Sequence, residues 1–464
     1  MNLGEPPARD FRVRENGPRG AACRPGARAG RRLFPGFLLV IATAFARAAD
    51  PASGTIDLPT ALRLAGAGNL EVALAREKVA EARAASDAAR QRFFPWIAPS
   101  LVVRRHEENV QAVNGPVLDV DKQSLAVGIA LNAQLELGET YYQNLVARQV
   151  VRSSEAALAG RQREVVYRAA TGYFDLVRAR AAVIAAEEAV RVVGRHAEQL
   201  AVTAEAGLTF QGDLARVRAA RERGELGLVR ARTEQRVAAA RLAELLRLDP
   251  AVDLAPAETD LAPLGVAAAT DDLGALISRA LARRPELDEA AARLAAARTS
   301  RRAATQGPLI PTLGAQAAIG GLGGGTGSTS IGHDFDMSAD YSFGVSWRIG
   351  PGGLGDKARQ RETAARERQV ELEQERVRDV IRRQVVEQHA RLRSLGDQVA
   401  LARKTLEAAD LAARLSRQRR ETGVSAVLED LQAEEELARA RRDYLATVAD
   451  FNQAQYALKY AAGE

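Results

Sequence analysis

The segment DYSFGVSWRIG, residues 340–350, alternates apolar side chains with polar or very small ones along its whole length. Strict period-two alternation is typical of a β-strand that has one face in an apolar environment and the other in water. The rest of the chain is dominated by Ala, Arg, Glu and Leu, with 5% aromatic and 27% charged residues. Such a composition is typical of long helices and coiled coils. The sequence therefore predicts a mainly helical protein that carries a few strands.

Three other segments show the same alternation, and they are residues 97–103, 124–137 and 313–319. With the strand predicted at 338–349, they form two pairs, each pair suggesting a hairpin. Segments of about ten residues with alternating hydrophobicity are the signature of transmembrane β-strands, although half-buried strands of soluble sheets look similar. On the two clearest strands, the residues predicted to share the apolar face are Leu125, Val127, Ile129, Leu131, Tyr341, Phe343, Val345, Trp347 and Ile349.

The chain repeats itself at a spacing of about 215 residues. NLEV at 69–72 resembles RPEL at 284–287, and each is followed by an Ala/Arg-rich entry helix, a proline, two strands, a long helix, a glycine and a return helix. An entry helix and a return helix together nearly match one long helix, so the two short helices can stack beside it. The predicted divisions are a signal peptide with a basic leader (1–48), a first repeat (49–247), an inter-repeat linker or equatorial segment (248–272) and a second repeat (273–464).

Residues 1–48 resemble a secretory signal. They contain nine arginines and three acids, then an apolar run at 33–45 and the small-x-small sequence ARA at 46–48. An uncleaved membrane anchor is the alternative interpretation. The formal net charge of +6 lies entirely in this leader, so the rest of the chain is neutral. This distribution argues against a nucleic-acid-binding coiled coil, which would need its basic residues on the helices.

The order of elements resembles the outer-membrane efflux protein family, the TolC-like channel-tunnels. RLAGAGNLEVALAREKVAEARAASDAARQRFFP at 63–95 and RQRRETGVSAVLEDLQAEEELARARRDYL at 417–445 carry this resemblance. It implies a mainly α fold with transmembrane β-structure: a homotrimer whose helices form a coiled-coil tunnel. Four strands per chain would complete a twelve-stranded barrel in the outer membrane. The apolar strand residues given above would then face lipid, because closure leaves no unpaired strand edge there.

The resemblance also implies a function and a location. The protein would be the passive outer-membrane exit duct of a tripartite efflux or type I secretion system, with its tunnel extending into the periplasm of a Gram-negative-type envelope. An inner-membrane transporter of RND, ABC or MFS type would supply the energy and act through a periplasmic adaptor (membrane fusion protein). The turns that would form the periplasmic tip and meet the adaptor are Gly207, Leu208, Thr209, Gly423, Val424 and Ser425. Simple helix capping is an alternative role for Thr209 and Ser425.

The resemblance further implies acids that line the constriction at the tip. The family pattern has two acids three residues apart, and Glu429 and Gln432 occupy those positions here. Asp430 lies between them, and Asp213 is the counterpart in the first repeat. A ring of acids in a narrow mouth favours cations. The alternative is that these acids stabilise the N-terminal turns of their helices.

No catalytic, cofactor or metal site is expected from the sequence. The Gly-rich stretch at 320–328 lacks the ending of a P-loop, and His106, His196, His333 and His389 have no ligand spacing. The main alternative function is a soluble periplasmic helical scaffold in which the strands form a small sheet. Membrane residence distinguishes the two, since a scaffold would be released without detergent.

Overall fold

The computed structural model describes residues 54–206, 210–257, 261–267, 272–326, 334–421 and 427–464. The predicted signal segment therefore lies outside the described residues. The elements of the first repeat are β1 (Thr55–Ile56), α1 (Leu58–Gly68), α2 (Leu70–Gln91), β2 (Trp96–His106), β3 (Asn109–Gln111), β4 (Val117–Asp119), β5 (Lys122–Glu136), α3 (Leu137–Glu205) and α4 (Gln211–Leu246). The elements that follow are β6 (Ala255–Pro256), α5 (Leu273–Arg283), α6 (Pro285–Gln306), a 3₁₀ turn (Gly307–Leu309), β7 (Thr312–Thr326), β8 (Asp336–Ser346), α7 (Lys357–Glu421) and α8 (Val427–Ala461).

The two repeats match element by element. α1 and α5 have 11 residues each, α2 and α6 have 22 each, α3 and α7 have 69 and 65, and α4 and α8 have 36 and 35. α2 and α4 both pack along α3, while α6 and α8 both pack along α7. The chain is thus mainly helical, with two short helices beside each long one.

Local sequence explains where the helices begin. Asp57 caps α1 by accepting a hydrogen bond from the Thr60 backbone N–H at 3.0 Å, and Asp272 caps α5 in the same way from Ala275 at 2.8 Å. A side-chain oxygen at this position satisfies a backbone donor that the helix itself leaves unpaired. Pro285 opens α6, where its missing N–H is no loss. These residues set where α1, α5 and α6 begin.

The predicted strand at 338–349 is wrong at its C-terminal end. β8 ends at Ser346, and Trp347 instead donates a hydrogen bond from its indole nitrogen to the Leu309 carbonyl at 3.3 Å. Ile349 lies beyond the strand in an isolated bridge to Leu354. Gly350 has a φ of 111°, so the backbone turns there into α7. The alternation of apolar and polar residues thus continues in the sequence to Ile349, although the hydrogen-bonded strand ends at Ser346.

The inter-repeat segment is held on the helices by buried amide side chains. The Asn452 carboxamide oxygen accepts from the Leu264 N–H at 2.8 Å, and its nitrogen donates to the Ala262 carbonyl at 2.9 Å. The Gln455 carboxamide accepts from Val266 and donates to Leu264. Both side chains are buried, so they replace the strand partner that this irregular backbone lacks.

Candidate pore wall and periplasmic tip

The four long strands form one antiparallel sheet in the order β2-β5-β7-β8. The 15-residue strands β5 and β7 lie in the middle, and the 11-residue strands β2 and β8 form the edges. Among the described residues, no other strand pairs with the outer edge of β2 or β8. The sheet therefore ends at two open ladders of backbone donors and acceptors.

One face of this sheet is apolar across all four strands. Directly opposed residues of antiparallel strands point to the same face, and Leu131 is opposed to Ala317, which is opposed to Tyr341. The apolar residues sharing this face are Ile97, Pro99, Leu101, Val103, Leu125, Val127, Ile129, Leu131, Ala133, Leu135, Leu313, Ala315, Ala317, Ile319, Met337, Ala339, Tyr341, Phe343 and Val345, while Arg105 and Gln123 lie on it near one end of the sheet. Tyr341 and Phe343 are 73% and 74% exposed, so little else of the described chain covers them.

Seven of the nine predicted lipid-facing residues thus lie on one face of the sheet, four on β5 and three on β8. The remaining two, Trp347 and Ile349, follow the end of β8 and do not belong to that face by strand register. Sequence reasoning did not assign β2 residues such as Leu101 to a face. Val102, on the opposite face, is also apolar, and it obscures the alternation of that strand.

The other face of the sheet is mostly polar or lined by small residues, and its large apolar side chains are Trp96, Val102 and Leu322. It carries Ser100, Arg104, Gly128, Asn132, Gln316, Asp340 and Ser342, which the register places together. A surface of this kind suits water. The sheet therefore has the two-sided character of a strand array between lipid and an aqueous lumen.

Charged groups join the two long helices directly below the sheet. Arg359, in the first turn of α7, donates to both carboxylate oxygens of Glu139 in α3, at 3.1 and 3.0 Å. Asp356 accepts from the backbone N–H groups of Arg359 and Gly352, and these bonds lower the pKa of its carboxyl group. Both bonds come from the same guanidinium nitrogen, Nη2, and this charged contact links the starts of the two helices.

The return helix α4 and the long helix α7 each have exposed apolar side chains on the sides of the helical body. Leu226 and Val229 of α4 are at least half exposed, as are Leu372 and Leu401 of α7. α4 packs against α3, α3 against α8 and α8 against α7, so α4 and α7 lie at opposite ends of this packing order. Exposed apolar side chains along a helix commonly mark a surface that another chain covers.

The predicted tip residues Gly207, Leu208, Thr209, Gly423, Val424 and Ser425 all lie outside the described residues. The acids beside them are described. Asp213 lies in the first turn of α4, is half exposed and has Arg216 at 3.6 Å. Glu429 lies in the first turn of α8, is also half exposed and pairs with Arg419 of α7 at 2.9 Å. Both positions are compatible with a pore mouth and with a helix-capping acid.

Asp430 does not fit the role predicted for it. Its side chain is 0% exposed and lies against His196 of α3, with His196 Nε2 and Asp430 Oδ2 3.4 Å apart. Consecutive helical residues point about 100° apart, so Asp430 is directed into the protein while Glu429 is directed outward. A buried carboxylate cannot line a constriction. Sequence reasoning missed the His196–Asp430 pair, because the partners are more than 200 residues apart.

Two further features bear on function. Among the described residues, no group of three or more His, Cys, Asp or Glu side chains is arranged to hold a metal ion. Within the same residues, no helix has the length and the hydropathy needed to cross a bilayer.

Comparison with known proteins gives a match to one family model over part of the chain and a similar fold over most of it. Residues 276–464 match the family model "Outer membrane efflux protein". No curated protein sequence matches the chain significantly. The fold is similar to that of the outer-membrane channel OprN, with a TM-score of 0.73 and 20% identity over 88% of this chain and 89% of that one. The Campylobacter jejuni CmeC outer membrane channel gives 0.75 and 15% over 88% and 85%, and the open state of the Neisseria gonorrhoeae MtrE outer membrane channel gives 0.70 and 18% over 88% and 88%.

Proposed function

We propose that this chain is a member of the outer membrane efflux protein family, whose model matches residues 276–464, and that it forms the passive outer-membrane exit duct of a tripartite efflux or type I secretion system. Substrates would enter at the periplasmic end and leave through the sheet region at the cell surface. The duct would only conduct, and the energy would come from a partner in the inner membrane.

The observation that carries this proposal is the sheet with one apolar face, one polar face and two open edges. In hydrocarbon, each unpaired backbone group costs several kcal/mol, so an open sheet does not persist there. β2 and β8 run in opposite directions and have 11 residues each. β8 of one copy can therefore pair antiparallel with β2 of the next. Three copies would close a twelve-stranded barrel with the apolar face in lipid.

The exposed apolar residues of α4 and α7 support the same assembly. In a ring of copies, α4 of one chain would lie beside α7 of its neighbour. Leu226 and Val229 would then be covered by residues of α7 at the same level, such as Leu401, and all three are exposed in the single chain. Burying such side chains contributes about 1.5–3 kcal/mol each. A homotrimer therefore satisfies the sheet edges and the helix surfaces together.

The partners follow from the proposed position of the chain. The turns at 207–209 and 423–425 would meet a periplasmic adaptor, which links the duct to an inner-membrane transporter of RND, ABC or MFS type. Glu429 and Asp213 would contribute rings of acids near the mouth, as their exposure permits. Asp430 is not part of this proposal.

The test is single-channel conductance of the purified protein in a planar bilayer, with Glu429→Gln beside the parent. Discrete, long-lived steps are expected from the parent. Glu429→Gln should reduce the preference for cations over anions, because three carboxylates leave the mouth. The matched control is Glu436→Gln, an exposed acid on the same helix about 10 Å further from the turn.

Each outcome has a definite meaning. Equal cation preference in Glu429→Gln and the parent would show that Glu429 is only a first-turn helix acid. An equal loss of preference in both variants would mean that the acids act along the tunnel and not at its mouth. Folded helical protein that never forms channels, and that washes off membranes without detergent, would refute the duct and favour a periplasmic scaffold.

A further inference from the structure

The two open edges of the sheet carry opposite charges on the same face. On β2, Arg104 lies on the polar face in the half of the strand that is farther from the helices, and Lys122 of β5 is its diagonal neighbour. On β8, Asp336 and Asp340 lie on that face in the same half of the sheet. Arg104, Asp336 and Asp340 are exposed, and within the described residues none of the three takes part in an ion pair. One edge is therefore basic and the other acidic.

The neighbouring Arg105 shows how Arg104 differs from an arginine whose charge is balanced within one chain. Arg105 lies on the opposite face of β2, and it pairs with Glu107 and with Asp121, the latter at 3.8 Å. The acids of β8 are on the same face as Arg104, but three strand spacings separate the two edges of the sheet, which is about 14 Å. These acids can reach Arg104 when they belong to another copy of the chain.

The pairing of β8 with β2 of the next copy is limited to registers that match the faces of the two strands. A shift of one residue would place the apolar face of one strand beside the polar face of the other. Both strands have 11 residues, and full overlap puts Ser338 of one copy directly opposite Arg104 of the next. Asp336 and Asp340 are then the two diagonal neighbours of Arg104. Diagonal neighbours are within reach of a side chain as long as arginine.

The tilt of the strands favours the register with full overlap. The line of directly opposed residues that starts at Trp96 on β2 ends at Ser342 on β8, four residues before the strand end at Ser346. Full overlap places Ser346 opposite Trp96 of the next copy, so the register moves by one residue per strand around the ring. A rise of about 3.4 Å over a spacing of about 4.8 Å is a tilt of about 35°, which agrees with membrane barrels. A shift of two residues either way gives about 20° or about 47°, outside their usual range.

We propose that Arg104 of each protomer binds Asp336 and Asp340 of its neighbour, so that three such seam clusters on the polar face set the register in which β8 meets β2. The partner of this surface is a second copy of the same chain. A register shifted by two residues keeps one of the two acids beside Arg104 and separates the other from it. The clusters thus select one register among those that backbone pairing allows. This inference rests on the proposed function, because it places the two edges in a closed ring.

The first experiment measures how the charge of Arg104 affects the stability of the trimer in detergent. Light scattering over a dilution series gives the trimer–monomer equilibrium constant of the parent, Arg104→Gln and Lys122→Gln. Arg104→Gln should lower this constant by about tenfold, because each of three separate seams loses a contribution of about twofold. Lys122→Gln is the matched control, since it removes a cation from the same face and the same end of the sheet, but on an inner strand. It should assemble like the parent.

A charge swap keeps the test decisive if Arg104→Gln disturbs folding. Arg104→Glu brings three acids together at each seam and should weaken the trimer further, because like charges on paired strands repel. Adding Asp336→Arg and Asp340→Arg to this variant restores opposite charges with their positions exchanged. The combined variant should recover most of the equilibrium constant of the parent. A packing role of the Arg104 side chain alone would give no such recovery.

The register itself is tested with pairs of cysteines on the polar face. Ser100→Cys and Ser342→Cys are directly opposed at a seam with full overlap, whereas within one chain they lie on the two outer strands. A short bifunctional thiol reagent should therefore join this pair between copies, giving linked dimers and trimers on a denaturing gel. Val102→Cys with Ser342→Cys is the matched pair for a register shifted by two residues, and it should be joined less. Preferential joining of the Val102 pair would overturn the proposed register.

The remaining outcomes separate the seam clusters from the duct. The clusters are refuted if Arg104→Gln and Lys122→Gln assemble equally well, or if the charge swap leaves the trimer as weak as Arg104→Glu does. Those results leave the duct intact, because the parent still assembles and conducts. A folded parent that stays monomeric and forms no channel refutes the proposed duct, and the seam clusters with it.

Discussion

Asn69 and Arg284 occupy equivalent positions in the two repeats, but Asn69 joins its helices through a neutral carboxamide and Arg284 through a charged guanidinium group. Asn69 precedes α2 and donates from its carboxamide to the Leu245 carbonyl at the end of α4, at 2.9 Å. Arg284 precedes α6 and donates to the Tyr460 carbonyl at the end of α8, at 3.1 Å. The side chains are almost fully buried, at 7% and 5% exposure. Each joins the start of its entry helix to the end of its return helix.

The charged junction requires more partners than the neutral one. The Asn69 side chain uses its oxygen to cap α2 through the Glu71 N–H, so a single residue satisfies both helix ends. The Arg284 guanidinium donates to both oxygens of Glu286 at 3.0 and 2.9 Å, and it lies 4.7 Å from the centre of the Tyr460 ring. Burial raises the pKa of that tyrosine. A cation near a helix C-terminus is favourable, but a buried cation depends on its counter-ion.

The largest expected effect is therefore at Arg284. Arg284→Ala removes the fork to Glu286 and leaves the carbonyls at the end of α8 without their donor, so it should cost about 3 kcal/mol per protomer. The measurement is thermal melting in detergent, followed by circular dichroism at fixed protein concentration. Arg284→Lys should fall between Ala and the parent, because an ammonium keeps the charge but not the fork. Equal melting temperatures for Arg284→Ala and the parent would refute the dependence on charge.

Asn69→Ala should cost less, about 1–2 kcal/mol, because only one cap and one neutral hydrogen bond are lost. Asn69→Asp separates the two contributions, since it keeps the acceptor for the Glu71 N–H and removes the donor to Leu245. Melting temperatures in the same detergent give the comparison. If Asn69→Ala lowers the melting temperature as much as Arg284→Ala does, the charged junction does not contribute more to stability than the neutral one.

Much of this architecture could be predicted from sequence. The likeness between NLEV at 69–72 and RPEL at 284–287 marked the starts of α2 and α6 correctly, because helix starts depend on local residues. Strand parity likewise grouped Leu125 with Ile129, and Tyr341 with Phe343, since alternation is a property of each strand alone. These features need no knowledge of the tertiary structure.

The features that the sequence analysis missed or misassigned depend on partners that are distant in the sequence. The Asn69–Leu245 and Arg284–Tyr460 contacts each span 176 residues, and nothing local indicates them. Asp430 was grouped with Glu429 because the two are adjacent, although adjacent helical residues face different directions. Trp347 continued the alternation but found its partner in the Leu309 carbonyl, outside the sheet. In each of these cases, the result depends on how segments that are distant in the sequence pack together.

The C-terminal ends of the return helices α4 and α8 also differ between the repeats, and substitutions there are expected to have smaller effects on stability. Arg247, just after α4, has a φ of 58°, whereas Gly463 occupies the matching place after α8 with a φ of 82°. A left-handed conformation costs a non-glycine residue about 1–2 kcal/mol, although glycine loses part of that gain to unfolded-state entropy. Arg247→Gly should thus raise stability by about 0.5 kcal/mol, whereas Gly463→Ala should lower it by about 1 kcal/mol. A Cβ at position 463 would also lie 3.1 Å from the Arg283 Cβ. Opposite shifts in melting temperature are expected, and shifts of the same sign would show that the two ends are not equivalent.

The smallest expected difference concerns the caps of α1 and α5. Asp57 accepts hydrogen bonds from the side chain and the backbone N–H of Thr60, and these lower the pKa of its carboxyl group from 3.8. A carboxyl group with a lowered pKa in the folded state stabilises the protein above pH 3.8, and this contribution is lost as the pH falls through the folded-state value. The second cap has Ala275 where the first has Thr60, so Thr60→Ala gives the first cap the arrangement of the second. Melting temperatures between pH 6 and about pH 2.5 should show Thr60→Ala below the parent at pH 6, with the gap narrowing below pH 3.8. A gap of constant size would mean that the Thr60 hydroxyl acts through packing and not through the charge of Asp57.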